Sequence, residues 1–150
     1  FNEIHWKIQG FKNCTILTGY ELWLSGHLKR GSDVWLNNPR LYHEASGTSG
    51  MTAAMNGSIN CSIPDGWVPE FAKHGKNAFI IEPAADDLSV NDKDKEEANR
   101  LYDLLENEVI PMYYKNPAKW IKIMKAGMKD VVPFFDSARM ADEYYEKLYK

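Results

Sequence analysis

Short runs of apolar and β-branched residues punctuate the first half of the chain, and helical stripes fill the second. Cys14, Thr15, Ile16 and Leu17 form the first run, so residues 13–17 are predicted as a strand that ends at Gly19. Leu22, Leu24 and Leu28 follow a helical spacing and predict a helix over 20–30, closed by Gly31. Residues 33–36 predict a second strand, stopped at Asn37-Asn38-Pro39 because Pro39 cannot extend a hydrogen-bonded ladder. Residues 51–55 predict one or two helical turns ended by Asn56-Gly57. A third strand is predicted at 59–63, ahead of the turn Pro64-Asp65-Gly66, and a fourth at 77–81.

The pattern changes after Pro83. Residues 86–97 are charged and polar, with a capping signal at Asn91 and Asp92 before Lys93. Stripes at Leu101, Leu104, Leu105 and Val109, then at Trp120, Ile121, Met124 and Met128 just past Pro117, then at Met140, Tyr144, Leu148 and Tyr149, predict three helices. Strands that alternate with helices indicate an α/β fold with a parallel sheet, here followed by a C-terminal helical tail. Four strands make a thin sheet, and the chain opens on Phe1 rather than Met, so part of the sheet is expected upstream. The expected division is residues 1–85 as a partial sheet domain and 86–150 as helices packing on it.

Composition narrows the options. At 150 residues the chain suits one domain with a modest core. Net charge is −3 with no basic block, which disfavours nucleic acid as a partner. No segment approaches the roughly 18 apolar residues of a membrane span, and nothing resembles a signal peptide; a cytoplasmic protein with no membrane partner is expected. Cys14 and Cys61 form no CxxC pair and sit in apolar runs, so two buried thiols are expected rather than a disulfide. No metal site is expected.

The candidate chemistry lies in His43-Glu44-Ala45-Ser46-Gly47-Thr48-Ser49-Gly50-Met51-Thr52. In open α/β sheets ligands bind beyond the carboxyl ends of the strands, and this loop leaves such an end. Gly47 and Gly50 let backbone approach a ligand without a Cβ in the way. Glu44 is a pure acceptor at neutral pH and can hold sugar hydroxyls. The amides that open the following helix favour negative charge. The loop therefore suits a ligand with hydroxyls on one side and phosphate on the other. A plain strand-to-helix turn, with Thr48 or Ser49 as N-cap, explains the same residues equally well. His43, His27, His74, Arg40 and Asp65-Gly66-Trp67 are weaker candidates, each with an ordinary structural explanation.

The strings Asp33-Val34-Trp35-Leu36-Asn37-Asn38-Pro39-Arg40 and Glu44-Ala45-Ser46-Gly47-Thr48-Ser49-Gly50-Met51 resemble the C-terminal catalytic half of α-glucan phosphorylases, most closely the short bacterial type. Ala53-Ala54-Met55-Asn56-Gly57 and Pro64-Asp65-Gly66-Trp67 continue the likeness, as do Trp120, Phe134, Arg139-Met140 and Tyr144. The resemblance implies part of a Rossmann-like sheet in a B-type glycosyltransferase fold, whose cleft is completed by an N-terminal domain. It implies retaining glucosyl transfer between an α-1,4-glucan and phosphate, with glucose held at Glu44, Ala45, Ser46 and Gly47. Thr48, Ser49, Gly50, Thr52 and His27 would lie toward phosphate or cofactor. It leaves a homodimer open, and it implies that this stretch alone is inactive.

The resemblance also implies pyridoxal phosphate, attached to a lysine directly after the motif methionine. This chain has Thr52 there, and a hydroxyl cannot form a Schiff base. Lys29 and Lys73 sit in no matching motif. Nucleotide-sugar glycosyltransferases of the same fold place a second acidic residue at the position that is again Thr52, so that pattern is incomplete too. A cofactor-free sugar transferase and a non-catalytic glucan-binding domain are the alternatives.

Overall fold

A computed structural model describes residues 2–149. Its elements run α1 (Asn2–Ile8), α2 (Leu22–Gly31), β1 (Val34–Asn37), α3 (Thr48–Met55), β2 (Ile59–Ser62), α4 (Val68–Phe71), β3 (Phe79–Ile80), α5 (Val90–Leu104), α6 (Ile110–Lys115), α7 (Pro117–Phe134) and α8 (Ser137–Lys147). The three strands form one parallel sheet in the order β1-β2-β3, with Val34 opposite Ile59 and Cys61 opposite Phe79. Each parallel pair needs a crossover, which α3 supplies between β1 and β2 and α4 between β2 and β3. The architecture is the expected α/β one with a parallel sheet and a helical tail.

β2 is the central strand and all four of its residues are buried. Ile59, Cys61, Ile63, Phe79 and Ile81 pack against Leu101, Leu104 and Val109 and against Trp120 and Ile123 of α7, forming one core. A second cluster joins Ala54 of α3 to Trp67, Val68, Phe71, Ala78 and Val131 of α7. Burial pushes the Cys61 thiol up to about 11, so it is an inert core group. Asn77, 2% exposed, ties three segments together. It accepts from the Lys73 amide and donates to Phe71 O and to Asp130 of α7.

α5 and α6 are joined by one wider helical turn, Leu105–Val109, so the rod runs on from Val90 to Lys115. The widening directly precedes Pro111, whose ring would crowd the carbonyl of Asn107 in a regular helix.

The structure corrects several expectations. Residues 13–17 form no strand: no neighbouring strand offers a ladder, and Cys14 and Leu17 are exposed. Cys14 is therefore a surface thiol, and only Cys61 is buried. The fourth expected strand, 77–81, shortens to Phe79–Ile80 because the backbone before it is spent in a turn: the Asn77 amide donates to Lys73 O and the Ala78 carbonyl accepts from the Gly75 amide. The described residues thus hold three strands, not four. The cap of α5 is Ser89 rather than Asn91 or Asp92; Ser89 Oγ accepts from the Asp92 amide and donates to its carboxylate.

Candidate functional site

Two loops leave the carboxyl ends of adjacent parallel strands: residues 38–47 after β1 and 63–67 after β2. They are bound to each other. Asp65, 8% exposed, accepts the Glu44 amide on Oδ2 at 2.9 Å and the Gly66 amide on Oδ1 at 2.8 Å. Burial alone would raise its carboxyl pKa; the amides of Glu44, Gly66, His43 and Tyr42 outweigh that and hold it below the usual carboxylate range. Asp65 is thus a fixed anion at the centre of a backbone nest. Tyr42 closes that nest at φ 68, a conformation a tyrosine keeps only where its surroundings enforce it.

The Trp67 amide donates to Ser46 O at 2.8 Å. Gly66, at φ +56, lies so close that any Cβ there would overlap the Ser46 carbonyl oxygen. Gly47 has φ +94, and a Cβ on it would stand 2.9 Å from the Trp67 ring. Both glycines are required by geometry: the loops touch backbone to backbone, with the buried Trp67 indole as floor.

On this platform Glu44 is half-buried, and its carboxylate makes no hydrogen bond among the described residues; only its amide is engaged. Ala45 and Ser46 are exposed. Gly47 is the N-cap of α3, with no side-chain cap, so the expected alternative of Thr48 or Ser49 capping the helix is corrected. The first amide satisfied in this turn is Gly50 N, on Gly47 O at 3.0 Å; those of Thr48 and Ser49 find no backbone acceptor among the described residues. Buried Asn60 of β2 holds the helix start from below, donating to Gly50 O at 3.0 Å. The result is a rigid bend that presents an acceptor, exposed polar backbone and outward amides within a few residues.

Other candidates are placed differently. Thr52 spends its hydroxyl on Thr48 O at 2.9 Å inside α3. His27 is exposed on α2, bonded to its own helix at Trp23 O and packed on the Trp23 ring. Arg40 pairs with Asp94 of α5 on the surface rather than pointing an open guanidinium at the loop. His74 is not simply solvated. Its Nδ1 accepts the Ile80 amide, and its Nε2 lies 3.0 Å from a Glu108 carboxylate oxygen in the wide turn. These contacts border a groove of about 740 Å³ lined also by Glu82, Arg100 and Asp103, apart from residues 44–52. Among the described residues no cluster of metal-ligating side chains occurs, and no helix is long and apolar enough to cross a membrane.

No protein-family model matches the chain. It is 44% identical over 140 residues to a maltodextrin phosphorylase of Thermococcus litoralis, covering 93% of this chain and 17% of that protein. It is 45% identical over 136 residues to a glycogen phosphorylase of Aquifex aeolicus, covering 87% of this chain and 19% of that one. This stretch is homologous to α-glucan phosphorylases. An uncharacterized protein of Methanocaldococcus jannaschii is 51% identical along the whole chain, which spans 28% of its length. The chain therefore corresponds to under a third of each of these relatives.

Within this phosphorylase-like segment, sequence reasoning missed the grip of Asp65 on the loop. Pro64-Asp65-Gly66 reads as a turn former, and the spacing does not reveal that its carboxylate reaches back 21 positions to the Glu44 amide. The one signal was the recurrence of Pro64-Asp65-Gly66-Trp67 in the resemblance itself.

Proposed function

We propose that the protein to which this segment belongs transfers glucosyl units between an α-1,4-glucan and phosphate with retention at the anomeric carbon. The observation that carries the proposal is the unpaired Glu44 carboxylate on a loop fixed from below by Asp65 and Trp67, in a chain homologous to phosphorylases. In this reading Glu44 accepts from glucose hydroxyls, and the backbone of Ala45, Ser46 and Gly47 with the Ser46 hydroxyl orients the ring. Positive charge develops at the anomeric carbon in such transfers, and fixed dipoles stabilise it better than water that must reorient. Thr48, Ser49 and Gly50, at the start of α3, lie on the phosphate side. A second lobe of the same protein closes the cleft, a homodimer is the assembly to examine, and the cytoplasm is the expected location.

Pyridoxal phosphate, which the resemblance implies, does not fit covalently at position 52. Thr52 has no amine, and its hydroxyl is already donated to Thr48 O. No step is assigned to the cofactor. Thr52 departs from the acidic pattern of nucleotide-sugar transferases too, and glucosyl transfer from a different donor on the same loop is the second reading.

The test is to incubate the protein at its full natural length with maltoheptaose and inorganic phosphate and to measure glucose 1-phosphate. Steady formation is expected. Sugar binding without glucose 1-phosphate would overturn phosphorolysis and leave the second reading or a non-catalytic glucan-binding domain.

A further inference from the structure

We infer that Asp65 is the positioning residue of the saccharide loop: its buried carboxylate sets the Glu44 backbone at the height from which the Glu44 side chain meets sugar. The inference rests on the proposed glucosyl site and adds to it a residue that itself touches no substrate. Three contacts carry it. Asp65 Oδ2 takes the Glu44 amide at 2.9 Å, while Oδ1 takes its neighbour Gly66 N at 2.8 Å, so the carboxylate bridges the two loops. The Trp67 amide, two residues on, fixes Ser46 O at 2.8 Å. Gly66 removes the Cβ that would push the loops apart. Glu44 and Ser46 are thus held by their backbones, which leaves the Glu44 carboxylate and the Ser46 hydroxyl for a ligand.

An asparagine cannot reproduce this bridge. It offers one acceptor oxygen and, in place of the other, a carboxamide NH2 that only donates, so either the Glu44 or the Gly66 amide would face a second donor. Losing one bond to a charged acceptor at a half-buried loop is enough to let it move without unfolding the sheet beneath.

The experiment compares wild type with Asp65→Asn in the full natural-length protein by two readouts: amide hydrogen exchange and maltoheptaose affinity. Exchange at residues 42–44 is expected to quicken roughly tenfold or more, with residues 59–62 of β2 protected as in wild type. Maltoheptaose affinity is expected to fall roughly tenfold. A purely structural Asp65 would loosen the loop yet leave affinity unchanged, and that result overturns the inference. So does unchanged exchange at residues 42–44. If wild type binds no maltoheptaose, the proposed function fails and the role of Asp65 falls with it. That outcome is distinct from the case in which wild type and variant bind equally. Should Asp65→Asn fail to fold, Asp65→Glu decides by the same readouts: it keeps the charge but shifts the carboxylate by one methylene, and faster exchange at Glu44 with unchanged affinity overturns the inference.

Discussion

Glu44 illustrates how a functional side chain can be recognised by what it does not do. Its amide is bound to Asp65 and its carboxylate to no described residue, although it is half-buried. A partly desolvated carboxylate without a partner is unfavourable, and a sugar hydroxyl relieves that cost. Glu44→Gln keeps the shape and one acceptor but removes the charge. It is expected to weaken maltoheptaose binding roughly tenfold, while changing stability by no more than about 0.5 kcal/mol. Titration calorimetry and thermal unfolding check the two halves. The identity of Glu44 was legible in the sequence because its motif is contiguous, from Glu44 to Met51. The contributions of Asp65, Trp67 and Asn60 were not, because each acts through a backbone group far along the chain.

At the scale of elements, local signals succeeded where one face of an element is buried against a near neighbour. The stripe that begins at Trp120 became α7, with Trp120, Ile123, Gly127 and Val131 buried. The strand expected at 59–63 became β2, in which the polar Asn60 and Ser62 are buried along with Ile59 and Cys61 because a central parallel strand is covered on both faces. The run at 13–17 looked equally strand-like, yet pairing is a property of two segments, and no partner lies beside it. The α5 cap shows a smaller failure of the same kind. Asp92 was recognised as part of the signal, but it sits at the third helical position and the cap is Ser89. Ser89→Ala is expected to destabilise the protein by about 1 kcal/mol, read as a lowered midpoint in urea unfolding.

The molecule as a whole is unevenly packed. A dense centre joins β2 and β3 to α5 and α7, whereas α1 and α8 contain no buried residue among those described. Ile4, Trp6, Phe11, Leu17, Tyr20, Leu22 and Trp23 are all exposed, as are Tyr144, Tyr145 and Leu148. The candidate loop is similarly one-sided: floored by Trp67 and Asn60, open above Ala45 and Ser46. The relatives are several times longer than this stretch, which accords with a site that needs a second wall. The most direct measurement is a crystal structure of the full natural-length protein with maltoheptaose. A glucose ring is expected over residues 44–47, with its hydroxyls on the Glu44 carboxylate and Asp65 still holding the Glu44 amide. Glu44 folded onto its own backbone, with sugar bound elsewhere or not at all, would contradict it.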